Sequence, residues 1–183
     1  MEITIFLIAL GANALLLVGL LSSVIGVSNS QFWPPPSKSA WQYHCLWWSV
    51  RIIVLSIAAL AYFEWGAIDI PSTIRFWVAM PIFLIAFTLG SVAASNLGWT
   101  NTHGVENGFV DKGFYRFSRN PQYVLFSMCF IALSLVIASP KALVLLWLLA
   151  VWYLIAPFPE ERWLEDRYGE QYLNYKQRVP RYF

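Results

Sequence analysis

The amino-acid sequence predicts an all-α fold: a polytopic membrane helix bundle of about five transmembrane helices plus a C-terminal interfacial helix. Three observations predict it. Hydrophobic residues make up 58% of the 183 and charged residues only 12%, with a mean hydropathy of +0.57, whereas soluble domains carry roughly 25% charged residues. The apolar residues lie in runs that can cross a hydrocarbon core of roughly 30 Å, which takes about 20 helical residues. Ten Trp and nine Tyr supply rings of the kind that settle at headgroup depth, where an apolar body and a polar tip are both satisfied.

The same composition excludes other classes. The net charge of +2 is small and dispersed, so nucleic acid is not an expected partner. Cys45, Cys129, His44 and His103 lack metal-ligand spacing, so no metal is expected. Residues 1–183 read as a single membrane domain without repeats.

The first span is expected at 3–27, where the run is longer than the apolar region of a signal peptide and no basic residue precedes it. Pro34, Pro35 and Pro36 forbid helix in the connector that follows. The second span, 45–65, has Arg51 near one end, placed to snorkel, and Glu64 at the other. The third, 74–95, contains Pro81, which predicts a kink. A polar loop, 96–122, precedes two shorter runs, 123–139 and 142–157, parted only by Pro140 and Lys141 and read as a helical hairpin.

The tail, 158–183, opens with Pro159, Glu160 and Glu161, all suited to a helix start. Trp163, Leu164, Tyr168, Tyr172 and Tyr175 then give an aromatic face at helical spacing, predicting one interfacial helix packed beneath the bundle. On this numbering Lys38, Lys112, Arg116, Arg119, Arg162, Arg167, Lys176, Arg178 and Arg181 fall on one side and only Arg75 and Lys141 on the other. The positive-inside rule then places the N-terminus outside and the loop and tail in the cytoplasm.

The loop and the tail carry the candidate chemistry. Gly104, Gly108 and Gly113 permit close backbone approach, and Arg116, Arg119, Asn120 and Tyr123 gather donors and an aromatic ring just before a span, as in a binding element. Asn120 is a candidate cap, with Pro121 setting the entry of the fourth span. Glu160 and Glu161 fit either favourable helix-start charges or the acids of a site.

The run GFVDKGFYRFSRNPQY, the two apolar segments, and then PEERWLEDRYGEQYLNYKQRVPR match a known pattern in order and spacing. Over roughly 97–181 the chain resembles the isoprenylcysteine carboxyl methyltransferase and phospholipid methyltransferase superfamily of integral membrane enzymes. The resemblance implies S-adenosyl-L-methionine as cofactor and direct methyl transfer to a lipophilic acceptor, isoprenylcysteine-like or phospholipid-like, that enters from the surrounding membrane lipids. It implies that the backbone of Asn107, Gly108, Phe109 and Val110 lines the cofactor, that Tyr115 packs on it, that Asn120, Pro121, Gln122 and Tyr123 cradle it, and that Glu160 binds its polar end. A sulfonium, an ammonium, a carboxylate and an adenine call for aromatic faces, an acid and amides close together. Arg119 is the candidate for a cofactor carboxylate or an acceptor phosphate, and Glu161 or His103 for a base if the acceptor is an amine.

Two positions depart from the family pattern. Asn120 stands where the family has His, which keeps hydrogen bonding and removes a titratable group, and Ala156 stands where prenylcysteine enzymes have an Arg for the acceptor. Two other readings remain. The tail is also similar to that of NADPH-dependent sterol reductases, although adjacent acids would repel a dinucleotide's phosphates, and a non-catalytic scaffold or subunit would have the loop and tail merely packing together.

Overall fold

The computed structural model describes residues 1–26, 31–103 and 108–182. Within them α1 is Glu2–Ile25, α2 Trp41–Glu64, α3 Met80–Leu97 and the short α4 Trp99–Thr102. Then follow α5 Pro121–Ile137, α6 Pro140–Ile155, α7 Pro157–Tyr168 and α8 Glu170–Arg178, with no strand among the described residues. Four apolar helical stretches are long enough to cross a membrane: 2–25, 41–64, 74–97 and 140–168. α5 is a shorter apolar helix of 17 residues, about 25 Å at 1.5 Å per residue, and pairs with α6 as a hairpin. The last stretch turns polar at Pro157, where PFPEERWLEDRY replaces the apolar run of α6, so α7 lies beyond the span.

Prolines set most of the boundaries, and they shift the expected ones. Pro121, Pro140 and Pro157 each open a helix, where the missing N–H is not needed and the fixed φ is already helical. α5 and α6 therefore begin two residues earlier than the hydropathy runs, and the turn between them is Ala138–Ser139 rather than Pro140–Lys141. Ala138 adopts φ 53°, and the Ser139 hydroxyl accepts from the Ala142 N–H at 3.2 Å to cap α6. Ahead of Pro81, where a kink is expected, Ile74–Ala79 form a π turn in which the Met80 N–H reaches back to the Arg75 carbonyl. The tail is two helices rather than one, broken at Gly169 with φ 50°.

α6 is the central helix, packed on α5, α1 and α2, while α3 packs on the outer side of α5. Leu16, Leu20, Ile53, Leu60, Leu145 and Leu146 form the buried seam. The outward faces stay apolar, with Leu55 70%, Trp77 80% and Tyr62 83% exposed, which is the surface lipid requires.

The two ends of the bundle differ. At the end holding the α1 N-terminus, Glu64 accepts from Ser139 Oγ at 2.6 Å and from Lys141, and Lys141 also lies 3.8 Å from Glu2. Arg75 donates from Nε and Nη2 to the Val136 carbonyl at 3.1 and 2.9 Å, satisfying the C-terminus of α5. The opposite end gathers the Pro-rich connector, residues 108–120, α7 and α8, and there a cleft opens.

Candidate active site

Residues 115–120 are fastened to the tail by backbone and side-chain bonds. The Arg119 N–H donates to the Pro180 carbonyl at 2.9 Å, Asn120 Nδ2 to the Arg181 carbonyl at 3.1 Å, and the Tyr175 hydroxyl to the Tyr115 carbonyl at 2.6 Å. These bonds tie the loop to the tail at three points. Gly113 is required at its bend, since its φ is 61° and a Cβ there would lie 2.8 Å from Asn96 Oδ1.

The cleft beneath this latch encloses about 670 Å³, including solvent at its mouth, within the size range of small-molecule sites. Gly108, Phe109, Val110, Tyr115, Arg119, Asn120, Gln122, Tyr123 and Glu160 all line it. The Phe109 ring packs against Tyr168 at 5.3 Å, Tyr172 at 6.1 Å and Tyr175 at 5.4 Å, so the aromatic face of the tail is one wall of the cleft. Pro121 lies buried at the start of α5 and is not among the lining residues, and Asn107 lies outside the described residues.

The two adjacent acids occupy different environments. Glu161 is 2% exposed and fully engaged: Arg181 forks onto it from Nε and Nη2, both at 3.0 Å, Arg119 Nη2 lies at 3.3 Å, and Asn120 Nδ2 donates at 3.1 Å. It does not line the cleft. Glu160 does, and its Oε2 accepts from Trp33 Nε1 at 3.3 Å and from the Tyr123 hydroxyl. Burial pushes the Glu160 carboxyl up to about 7; the bonds from Tyr123 and Trp33 oppose the shift, and the Glu161 charge adds to it. Burial, followed by the Glu160 charge, likewise raises the Tyr115 phenol, and burial is the main cause at Tyr172 and Tyr175, so all three stay neutral.

Asn120 precedes α5 as expected, yet its side chain makes no cap. The amide turns instead to Glu161 and the Arg181 carbonyl, because a buried carboxylate needs donors more than a helix start already relieved by Pro121 does. His103 stacks on Trp47 at 4.4 Å and does not line the cleft. Trp33 has no place in the site reading of the sequence. It is 3% exposed, packs edge-on against Trp152 at 5.4 Å and brings its N–H to Glu160. The signal present was a Trp fixed ahead of three prolines.

Several polar atoms of the cleft walls are buried without a partner: Tyr115 Oη, Arg119 Nε, Gln122 Oε1 and Tyr172 Oη. Each unmade bond of this kind costs about 1–3 kcal/mol.

Residues 74–171, just over half of the 183, match the phospholipid methyltransferase family. The chain belongs to that family. No individual curated protein matches it, and neither does any solved structure. The match makes the protein a membrane methyltransferase in general terms and runs from the π turn before α3 into α8. It includes Arg119–Tyr123, the α5–α6 hairpin and both acids, and it leaves outside Trp33 and the latch around Arg181, which the methyltransferase nonetheless brings to the same site.

Proposed function

We propose that the protein is an S-adenosylmethionine-dependent methyltransferase that transfers a methyl group directly to a lipophilic acceptor. The observation that carries this reading is the pairing of a cleft-lining carboxylate, Glu160, with the unpartnered buried atoms around it. A cofactor bearing an ammonium, a sulfonium, a carboxylate and an adenine fits that donor set. Glu160 would hold the ammonium, Arg119 Nε, facing no partner, would take the carboxylate, and the Phe109, Tyr168, Tyr172 and Tyr175 rings would offer π faces to adenine and cation. When bound, the cofactor supplies an activated methyl group.

The chain's own part is positioning and exclusion of water, since holding two reactants in near-attack geometry contributes about 7–11 kcal/mol. Arg119 acts through its cofactor contact, and Glu161 keeps Arg119 and Arg181 in place rather than serving as a base, because its oxygens are already taken by donors. The cleft end would face the cytoplasm, where Lys112, Arg116 and the basic tail satisfy the positive-inside rule, leaving the N-terminus outside.

Calorimetric titration of the detergent-purified protein with S-adenosylhomocysteine, beside the Glu160→Gln variant, tests the reading. Saturable binding by the wild type, lost or strongly weakened in the variant, is expected. Absence of binding by a folded wild type would remove it.

A further inference from the structure

One residue that bonds Glu160 lies outside the family match: Trp33. Its position is set by contacts that do not involve Glu160. On the α1 side, Ser23 Oγ accepts from the Phe32 and Trp33 N–H groups at 2.8 and 3.0 Å and itself donates to the Gly19 carbonyl at 3.2 Å. The Phe32 ring lies so close to α1 that a Cβ on Gly19 would meet it at 2.6 Å. On the α6 side, the Trp33 ring packs edge-on against Trp152 at 5.4 Å, and the Trp152 N–H is bonded to the Leu16 carbonyl at 3.2 Å. Trp33 is only 3% exposed, so close packing fixes the ring.

The indole N–H donates to Glu160 Oε2 at 3.3 Å, and the Tyr123 hydroxyl donates to the same oxygen. The two donors are not equivalent. A phenol can donate or accept, so Tyr123 can bond the carboxyl in either protonation state, whereas an indole N–H only donates and favours an oxygen that carries no proton. The other titratable and charged groups around Glu160 are Glu161 on its own helix, Tyr115 and Arg119 in the 108–120 segment, Tyr168 at the end of α7, and Tyr172 and Tyr175 on α8. Burial and the Glu161 charge work against ionisation of Glu160; the bonds from Tyr123 and Trp33 work for it.

We infer that Trp33 is a positioning residue of the methyl-donor site: from a ring fixed between α1 and α6, it holds the Glu160 carboxylate in the cleft for the ligand's ammonium. The inference rests on the reading of the cleft as the cofactor site. It extends that site beyond residues 74–171 to Trp33 and to Ser23, which anchors it.

The test is titration calorimetry of the full-length protein with S-adenosylhomocysteine between pH 6 and pH 8.5, in the wild type, in Trp33→Phe and in Trp33→benzothienylalanine. The last is an isostere that keeps the bicyclic ring and carries sulfur in place of the N–H, so it decides where Trp33→Phe fails to fold. Loss of the N–H should move the pH midpoint of binding up from about 7 by roughly one unit. The ionised fraction at pH 7 then falls from about one-half to about one-tenth, so affinity should drop roughly fivefold there and differ by less than about twofold at pH 8.5. Trp152→Phe, which removes an indole N–H bonded elsewhere in the same cluster, should lower thermal stability and leave the midpoint near 7. An unshifted midpoint in the isostere, a loss by the same factor at every pH, or an equal shift in Trp152→Phe would overturn the inference while the cofactor reading stands. No binding by the folded wild type at any pH would instead sink the cofactor reading and, with it, the role of Trp33.

Discussion

Cofactor affinity should depend on pH through Glu160, and the size of the effect follows from its surroundings. Burial holds the carboxyl up to about 7, so near neutrality it is partly protonated. The ammonium of the zwitterionic S-adenosylhomocysteine binds the ionised form. Between pH 8 and pH 6 the ionised fraction of such a group falls from about nine-tenths to about one-tenth, so the affinity for S-adenosylhomocysteine should weaken roughly tenfold, about 1.4 kcal/mol. The sign is set by the raised value: binding strengthens as pH rises through 7 and releases a proton near and below it. Titration calorimetry at pH 6, 7 and 8, in buffers of different ionisation enthalpy, reads both the affinity and the proton. The Glu160→Gln variant should bind more weakly throughout and lose the slope. A wild-type affinity that stays level over this range, or a slope retained in the variant, would refute the assignment of the cation to Glu160.

Tyr172→Phe removes a buried hydroxyl that has no protein partner, so thermal unfolding in detergent should show unchanged or slightly higher stability while S-adenosylhomocysteine affinity falls by about 1 kcal/mol; lower stability with unchanged affinity would count against a ligand role. Glu161→Ala leaves Arg119, 7% exposed, and Arg181 without their counter-charge and should cost about 3 kcal/mol by the same unfolding measurement, far more than Glu160→Gln. Gly113→Ala forces a left-handed φ on alanine and drives its Cβ against Asn96, which should cost about 1–2 kcal/mol and loosen the latch, read as faster proteolysis between 108 and 120.

The membrane class, the order of the apolar helices and the neighbourhood of loop and tail were legible in the chain. Length and hydropathy decide whether a segment can cross a bilayer, and both are local properties. Element edges were less legible, because hydropathy marks where apolar residues stop whereas Pro121, Pro140 and Pro157 mark where helices begin. Pro81 predicted a kink, and no hydropathy pattern marked the π turn over Ile74–Ala79 that precedes it.

By itself the sequence determined a lipid-embedded helical bundle with Glu160, Glu161 and the 108–123 segment at one end, since alternating spans return these stretches to the same side. Only the tertiary structure separated the two acids. Neighbours on a helix point about 100° apart, so the docking of α7 decides which carboxylate meets the cleft and which meets Arg119 and Arg181. It alone joined Trp33 to Glu160 across 127 positions. Such contacts depend on the rotation and depth at which helices pack, which small differences in side-chain shape select and no local pattern encodes.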